Sequence, residues 1–167
     1  AYEKMRTGYH DSNAALVVAY ALTGKPIAEL NAAYDLARTG YHDSNAALVV
    51  AYALSGKPIA ELNAAYERTR TGYHDSNAAL VVAHAVTGKP LGDLDAAYQA
   101  MRTGYHDSNA ALVMAFALGR PTRHLNDAYQ RLTTGYHDAS AALLLGDALK
   151  ASARVAPAGR TAWLGLA

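Results

Sequence analysis

Cysteine is absent from the 167-residue chain, which excludes disulfides, thiolate zinc sites and a cysteine nucleophile. An excess of one charge is also absent: 15 Lys and Arg stand against 14 Asp and Glu, so no general attraction to nucleic acid or an anionic membrane is expected. No apolar run approaches the roughly 18 to 20 residues of a membrane span, and no signal-peptide pattern opens the chain. The composition predicts a soluble chain with no charge-driven partner and leaves its compartment open.

One seven-residue string, TGYHDSN, recurs without change at Thr7, Thr39, Thr71 and Thr103, and a variant, TGYHDAS, follows at Thr134. The first three steps between these threonines are 32 residues long and the last is 31. A fixed period of about 20 to 50 residues is typical of a solenoid, whose units bury their apolar faces against their neighbours. The chain is therefore predicted to be one array rather than a set of separate domains.

The first half of each unit is typical of a buried helix, as in DSNAALVVAYALS at residues 43–55. Asp43 or Ser44 is the expected N-cap, and the run of Ala, Leu and Val that follows is apolar on every side. Gly56 can adopt the positive φ of a helix C-cap, and Pro58 suits the first turn of the next helix. The string GKP is therefore predicted to be the turn within a helical hairpin.

The second half of each unit is typical of an amphipathic helix, as in PIAELNAAYERTR at residues 58–70. Its apolar residues recur at helical spacing and its charged residues fall on the other side; the apolar ones are Ile59, Leu62, Ala65 and Tyr66. This predicts an outer helix that ends near Gly72. TGYHDSN is then the joint between successive hairpins.

These units predict an all-α fold, an α/α solenoid of about four and a half stacked antiparallel helical hairpins. We assign residues 1–150 to the solenoid, with residues 1–6 as part of an outer helix, and residues 151–167 to a divergent C-terminal cap or tail. An open solenoid without a full polar cap at its N-terminal end exposes apolar surface, so end-to-end self-association is a further expectation.

Small and apolar residues stand at fixed positions of the unit, and in the second copy they are Ala37, Gly40, Ala46, Val50, Tyr52 and Gly56. In these residues the chain resembles the helical-hairpin repeats of the tetratricopeptide superfamily, and especially its Sel1-like branch, over four units. The resemblance implies a right-handed stack of antiparallel helix pairs whose inner helices line a concave face. It also implies a scaffold that binds a protein partner.

The resemblance further implies which residues face that groove. Alignment of Gly24 with the family's mid-repeat glycine places Tyr20 at a packing position. The residues that it turns toward a shallow, apolar groove are Asp11, Ala14, Val18 and Ala21. We therefore expect a protein or peptide partner to contact one residue of each inner helix and the His-Asp pairs of the joints. These candidates are Val18, Val50, Val82, Met114, His42, Asp43, His74, Asp75, His106 and Asp107.

The repeated His-Asp pair also raises the possibility of metal binding or catalysis, because imidazole and carboxylate serve as metal ligands and as general bases. Stacked helix pairs place equivalent residues on the order of 10 Å apart, too far for neighbouring histidines to share a metal. Ser12, two residues after His10, would give a row of equal weak sites rather than one catalytic cleft. We therefore predict no catalytic residue, no metal and no cofactor, with a metal-binding or self-assembling array as an alternative.

An arginine precedes the TGYHDSN string, as at Arg38, Arg70 and Arg102, and repeat proteins that bind nucleic acid offer a precedent for such a row. The arginine also suits the negative end of the preceding helix dipole. The aspartate of the same joint cancels its charge locally, which argues against a phosphate track. A repeat-based nucleic-acid binder is kept as the other alternative.

Sequence variation is unevenly distributed within the unit. TGYHDSNAAL never changes before the final copy, whereas the end of the outer helix changes between the first two full units, from Asp35, Leu36 and Ala37 to the Glu, Arg and Thr of the next copy. Either stacking geometry or a repeated ligand contact restrains the joint, and the sequence leaves both interpretations open.

Overall fold

Helices make up the secondary structure of the part of the chain that the computed structural model describes, residues 1–132 and 135–155. Within those residues one 3-10 turn, η1, precedes nine α-helices, and no strand is present. Their bounds are η1 (Tyr2–Lys4), α1 (His10–Thr23), α2 (Ile27–Leu36), α3 (His42–Ser55), α4 (Ile59–Arg68), α5 (His74–Thr87), α6 (Leu91–Ala100), α7 (His106–Ala117), α8 (Thr122–Arg131) and α9 (His137–Val155). The all-α prediction is confirmed.

A glycine in the left-handed conformation ends each of the first three inner helices. Gly24, Gly56 and Gly88 have φ values of 68°, 73° and 75°, a region that costs glycine nothing and strains other residues. Pro58 then occupies the N-cap of α4, one position earlier than expected, where its missing N–H removes no helical hydrogen bond. The prediction that GKP is the turn within each hairpin is confirmed.

The fourth hairpin absorbs the 31-residue step at its turn. Helix α7 ends at Ala117 after 12 residues, whereas α1, α3 and α5 have 14. Gly119, at φ 103°, then leads to Pro121 at the N-cap of α8. The outer helices α2, α4, α6 and α8 all keep ten residues, so the shorter inner helix, and not the outer helix, accounts for the missing residue.

Each outer helix buries one stripe and exposes the other. In α4, Ile59, Leu62 and Ala65 are buried, while Glu61 and Arg68 are exposed. The predicted amphipathic pattern is confirmed, and it directs one face of the outer helix against the inner helices.

The inner helices form the centre of a continuous stack. Helix α1 packs on α3, α3 on α5, α5 on α7 and α7 on α9, and each outer helix lies against the inner helices of its own unit and of the next. One leucine in each of the first four inner helices has no solvent exposure; these are Leu16, Leu48, Leu80 and Leu112. Because every unit completes its core with its neighbours, the described chain is an α solenoid.

The two ends depart from the regular hairpin. Residues 1–6, predicted to be part of an outer helix, contain the single 3-10 turn η1, and Met5 after it is buried. Helix α9 continues to Val155, past the boundary expected at residue 150. The rest of the expected cap or tail, residues 156–167, lies outside the described residues. Among the residues that are described, no helix has both the length and the apolar character to cross a membrane.

Candidate functional site

A threonine and an asparagine close each of the first four joints. In the third joint the N–H and the hydroxyl of Thr71 donate to Oδ1 of Asn77 over 3.1 and 2.7 Å. The same hydroxyl oxygen accepts the N–H of Tyr73 at 3.2 Å. The equivalent bonds recur in the joints that begin at Thr7, Thr39 and Thr103. We call this arrangement the Thr–Asn clasp.

The N-cap of the inner helix differs from the one that the sequence predicted. Tyr41, not Asp43 or Ser44, is the N-cap of α3, and it makes no side-chain capping bond. Asp43 lies in the first turn with an exposed side chain, and Ser44 is buried. The physical reason is that the clasp already fixes the turn, so the helix begins at His42, and the aspartate acts through its charge near the positive end of the helix dipole.

A second asparagine ties the outer helices together. Asn63 of α4 donates through Nδ2 to the carbonyl of Leu36 at 2.9 Å and accepts the N–H of Arg38 at 3.0 Å. Asn31 and Asn126 bind the preceding unit in the same way. Asn63 follows the buried Leu62 in the sequence, and Asn31 and Asn126 likewise follow a buried leucine. This recurrence is the sequence signal of the contact with the preceding unit.

Tyrosine and histidine rings of successive joints stack on each other. The ring centroids of Tyr9 and His42 are 3.3 Å apart, and those of Tyr41 and His74 are 3.4 Å apart. The next two pairs, at 4.1 and 3.4 Å, are Tyr73 with His106 and Tyr105 with His137. We call these four pairs the Tyr–His ladder. Every pair joins one unit to the next, so a histidine stacks on the tyrosine of the preceding joint and not on its own neighbour.

The ladder lies on the surface, at the edge formed by the N-termini of the inner helices. Its tyrosine and histidine side chains are exposed, and so are Asp43, Asp75 and Asp107 beside them. His106 Nε2 lies 3.7 Å from Asp107 Oδ1. Within the described residues no three His, Asp or Glu side chains come together as a metal site would require. The joints therefore offer ring faces and single carboxylates, repeated once per unit.

Each inner helix turns one face away from the outer layer. On α3 this face carries Asp43, Ala47, Val50 and Leu54, and all four are exposed or half-buried. The opposite side carries Tyr52, which donates a hydrogen bond to the outer helix α2. Residues spaced by three and four positions share a helix face, so these four residues line the inner surface of the solenoid.

The four residues that were assigned to the groove do not share one face of the inner helix. Asp11 and Val18 lie on the inner face of α1, but Ala14 and Ala21 do not. Their equivalents on α3, Ala46 and Ala53, are 2% and 7% exposed because they lie between α3 and α1. In the internal units the preceding inner helix covers this side. An alanine at the contact lets the two helix backbones approach closely.

The candidate apolar residues form one row along the inner surface. Val18 of the first unit is 52% exposed. Val50 and Val82 are half-buried against the core, and Met114 takes the same position in α7. We call these four residues the inner-surface row. The structure thus brings the row together on one face, while the candidate His-Asp pairs lie at its edge.

Polar contacts cross the opposite edge, at the turns within the hairpins. Lys25 Nζ lies 2.7 Å from Glu29 Oε1. The hydrogen bond from Lys25, together with one from Tyr52, holds the pKa of the Glu29 carboxyl below its usual range. Lys25 also lies 4.6 Å from the Tyr52 ring centroid. Arg120 pairs with Asp147 at 2.7 Å. This position varies between copies, and at Tyr52, Phe116 and Asp147 it packs against the turn of the preceding unit.

His84 occupies that variable position in the third unit. Its Nδ1 lies 2.7 Å from the carbonyl oxygen of Lys89 in the turn that follows its helix. The side chain is half-buried, so this bond supplies the polar partner that a partly buried imidazole requires.

In α2, α4 and α6 a buried or half-buried tyrosine lies beside a buried serine of an inner helix. Tyr98 Oη lies 3.4 Å from Ser76 Oγ. Burial raises the pKa of Tyr34, Tyr66 and Tyr98, and the serine hydroxyl beside each one lowers it by a smaller amount. These phenols therefore belong to the core and stay protonated well beyond neutral pH.

An open pocket of about 560 Å³ lies at the fourth joint. Tyr73, Arg102 and His106 contribute to it, together with Gln99 and Met101 from the end of α6. The last two occupy positions that differ between units. At this joint, side chains that are the same in the first four copies lie beside two that differ between copies.

Comparison with known proteins gives no match: no family model, no curated protein and no solved structure corresponds to this chain.

Proposed function

We propose that this solenoid is a non-enzymatic scaffold that binds a protein or peptide partner along its inner surface. The observation that carries the proposal is the inner-surface row, in which four successive inner helices present one apolar side chain each on the same face. Aromatic and aliphatic side chains on a partner would gain from burial against this row.

The spacing of the row favours an extended partner. Packed helices lie about 8–10 Å apart, so the row repeats at about that interval. A polyproline II segment has three residues per turn and rises about 3.1 Å per residue, which places every third side chain on one side at intervals of about 9 Å. We therefore expect a segment with an apolar residue at every third position, one for each unit.

The repetition of the joints supports a binding role over catalysis. A catalytic site needs a nucleophile and a base that converge on one cleft. Here the histidines are stacked on tyrosines, and equivalent joints are repeated along an exposed edge. Binding modules with many equal contacts have this character, because each unit adds a similar increment to the interface.

Selection from a displayed peptide library tests the proposal. We expect the chain to enrich peptides with apolar residues at every third position, and Val50→Lys combined with Val82→Lys to lose them. Lysine suits this test because its stem can lie on a half-buried apolar surface while its charge reaches solvent. Ala64→Lys, on the exposed side of α4, is the matched control and should retain the selected peptides. Equal enrichment by all three proteins would refute the inner surface as the site.

The two alternatives have separate tests. Tight, sequence-selective binding of labelled oligonucleotides at physiological salt would favour a nucleic-acid binder; we expect weak, strongly salt-dependent binding. Arg70 supports this expectation, because its guanidinium donates to the carbonyls of Glu67 and Thr69 at the end of α4. One bound metal ion per joint in an untagged preparation would favour the metal-binding array; we expect well under one.

A further inference from the structure

Two helices that differ only at their last residue are buried by their neighbours to different extents. Helices α1 and α3 share the string HDSNAALVVAYAL, and on α3 Ala46 and Ala53 are buried against α1. On α1 the equivalent Ala14 and Ala21 are exposed. We call the side of α1 that bears Ala14, Val17 and Ala21 the front face. It is an apolar surface of the kind that each later unit buries.

Within the part of the chain that the structure describes, the last inner helix exposes the complementary surface. Leu143 of α9 occupies the position of Leu112 of α7, yet Leu143 is 57% exposed whereas Leu112 is not exposed at all. Ala139, one turn earlier on the same side, is exposed, and Gly146, one turn later, is half-buried. We call this side of α9 the rear face.

The internal stack shows what fits on the front face. Inside the chain, the side of α1 that bears Leu16 and Ala19 packs toward α3, and both residues are fully buried. At the equivalent positions the rear face has Leu143 and Gly146, so it presents the same leucine and a smaller neighbour. The rear face has no larger side chain at these positions, so it can make the contact that α1 makes with α3.

We propose that the front face of one copy of this chain binds the rear face of α9 of a second copy, so that the chains associate head to tail. The contact reproduces the packing of α1 on α3 and buries the alanines of the front face. It is separate from the proposed peptide site, because Ala14 and Leu143 lie outside the inner-surface row.

The contact joins two different surfaces, so it does not close on itself. Each copy keeps one free front face and one free rear face after pairing, and such a heterologous interface produces open chains rather than a two-fold dimer. The average mass in solution should therefore rise steadily with concentration and pass beyond that of a dimer.

Sedimentation equilibrium with single and mixed variants tests this arrangement. Over a range of about 100-fold in concentration, we expect the average mass of the unaltered chain to rise from 17.6 kDa to more than about twice that value. Ala14→Asp blocks the front face and Leu143→Asp blocks the rear face, so each variant alone should remain a monomer. Both positions are exposed, so the fold should tolerate either change, and circular dichroism verifies this.

The mixture of the two variants gives the decisive result. Ala14→Asp retains an intact rear face and Leu143→Asp an intact front face, so equal amounts should form a one-to-one dimer that grows no further. Ala64→Asp on the outer layer is the control and should behave as the unaltered chain. A monomeric unaltered chain at every concentration, or a Leu143→Asp variant that still dimerises through two front faces, would overturn the proposal.

Discussion

At the scale of single residues, each closed joint depends on an asparagine within the first turns of an inner helix. Asn77 accepts hydrogen bonds from both the N–H and the hydroxyl of Thr71, and Thr71 is buried. Asp75, two positions earlier, is exposed. The two side chains should therefore contribute to stability by different amounts and for different reasons.

We expect Asn77→Ala to lower the free energy of unfolding by about 1–3 kcal/mol, because it leaves the buried N–H of Thr71 without its acceptor. Asp75→Ala should cost only about 0.3–1 kcal/mol, through the lost charge near the helix N-terminus. Urea denaturation measures both values, and Asn77→Asp, which keeps an acceptor oxygen, serves as the control. An Asp75→Ala variant as unstable as Asn77→Ala would contradict this account of the joint.

The Tyr–His ladder gives a second prediction at this scale. His74→Ala removes the ring that stacks on Tyr41 and should cost about 0.5–1.5 kcal/mol, the usual contribution of an aromatic pair. His74→Phe keeps a ring in place and should cost less in the same thermal melts. If His74→Ala instead melts like the unaltered chain but no longer binds the selected peptides, the ladder contacts the ligand and is not a structural contact.

The sequence indicated that the joint matters, but not which atoms hold it. The invariance of TGYHDSN showed that the string is restrained. The partners of Asn63, by contrast, lie 25 and 27 positions earlier in the chain. A polar side chain on a helix surface looks the same in a sequence whether it meets solvent or a neighbouring unit, and only the stacking of the units decides.

At the scale of the helix, the outer helix ends before the joint and the chain turns at a glycine. Gly72 has a φ of 83°, and a Cβ added there would meet no atom within 4 Å. The requirement for glycine at this position is therefore one of backbone conformation alone, with no contribution from packing.

Gly72→Ala is expected to destabilise the fold by about 1–2 kcal/mol, the cost of the left-handed conformation for a residue with a Cβ. Gly72→Asn should cost less, since asparagine tolerates this region. Chemical denaturation of the two variants provides the comparison. Equal losses would mean that something other than backbone strain disfavours a side chain at this position.

Three tyrosines of the outer helices, one buried and two half-buried, predict a loss of stability at high pH. Burial raises the pKa of Tyr34, Tyr66 and Tyr98, while the unfolded chain ionises these phenols near pH 10. The unfolded state therefore releases protons first, and the free energy of unfolding should be unaffected by these groups at neutral pH and fall as the pH rises through about 10.

Urea midpoints measured from neutral pH to about pH 11 test this prediction. The variant Tyr34→Phe with Tyr66→Phe removes two of the three groups, so its midpoint should fall less steeply above about pH 10. The slope, and not the absolute stability, is the quantity to compare, because the lost hydroxyls change packing at every pH. A parallel decline in both proteins would assign the alkaline loss to other groups.

The turn within each hairpin could be predicted from the sequence, but the orientation of the inner helices could not. Gly56 and the proline two residues after it define a turn by their backbone requirements alone. The inner helix, by contrast, is apolar on every side, so no polar stripe shows which way it faces. The family resemblance placed Ala14 and Ala21 in the groove, although their equivalents lie between neighbouring helices.

At the scale of the whole molecule, the period was sufficient to predict the fold. A step of 32 residues that contains two helix patterns and two turns leaves a stack of hairpins as the arrangement that buries every apolar face. Function depends on the surfaces left after stacking, namely the inner-surface row, the ladder edge and the two end faces. Their exposure is set by packing between units, which the sequence of one unit does not contain.

The Thr–Asn clasp and the Tyr–His ladder also bear on how such a gene can change in length. Each clasp lies within one joint, and each ring pair joins one unit only to the next. Duplication or deletion of a 32-residue block, such as residues 71–102, therefore adds or removes one complete set of contacts and leaves every other set intact. Copy number can drift through whole-unit events without any compensating substitution, and the reach of the inner surface grows or shrinks by one step each time.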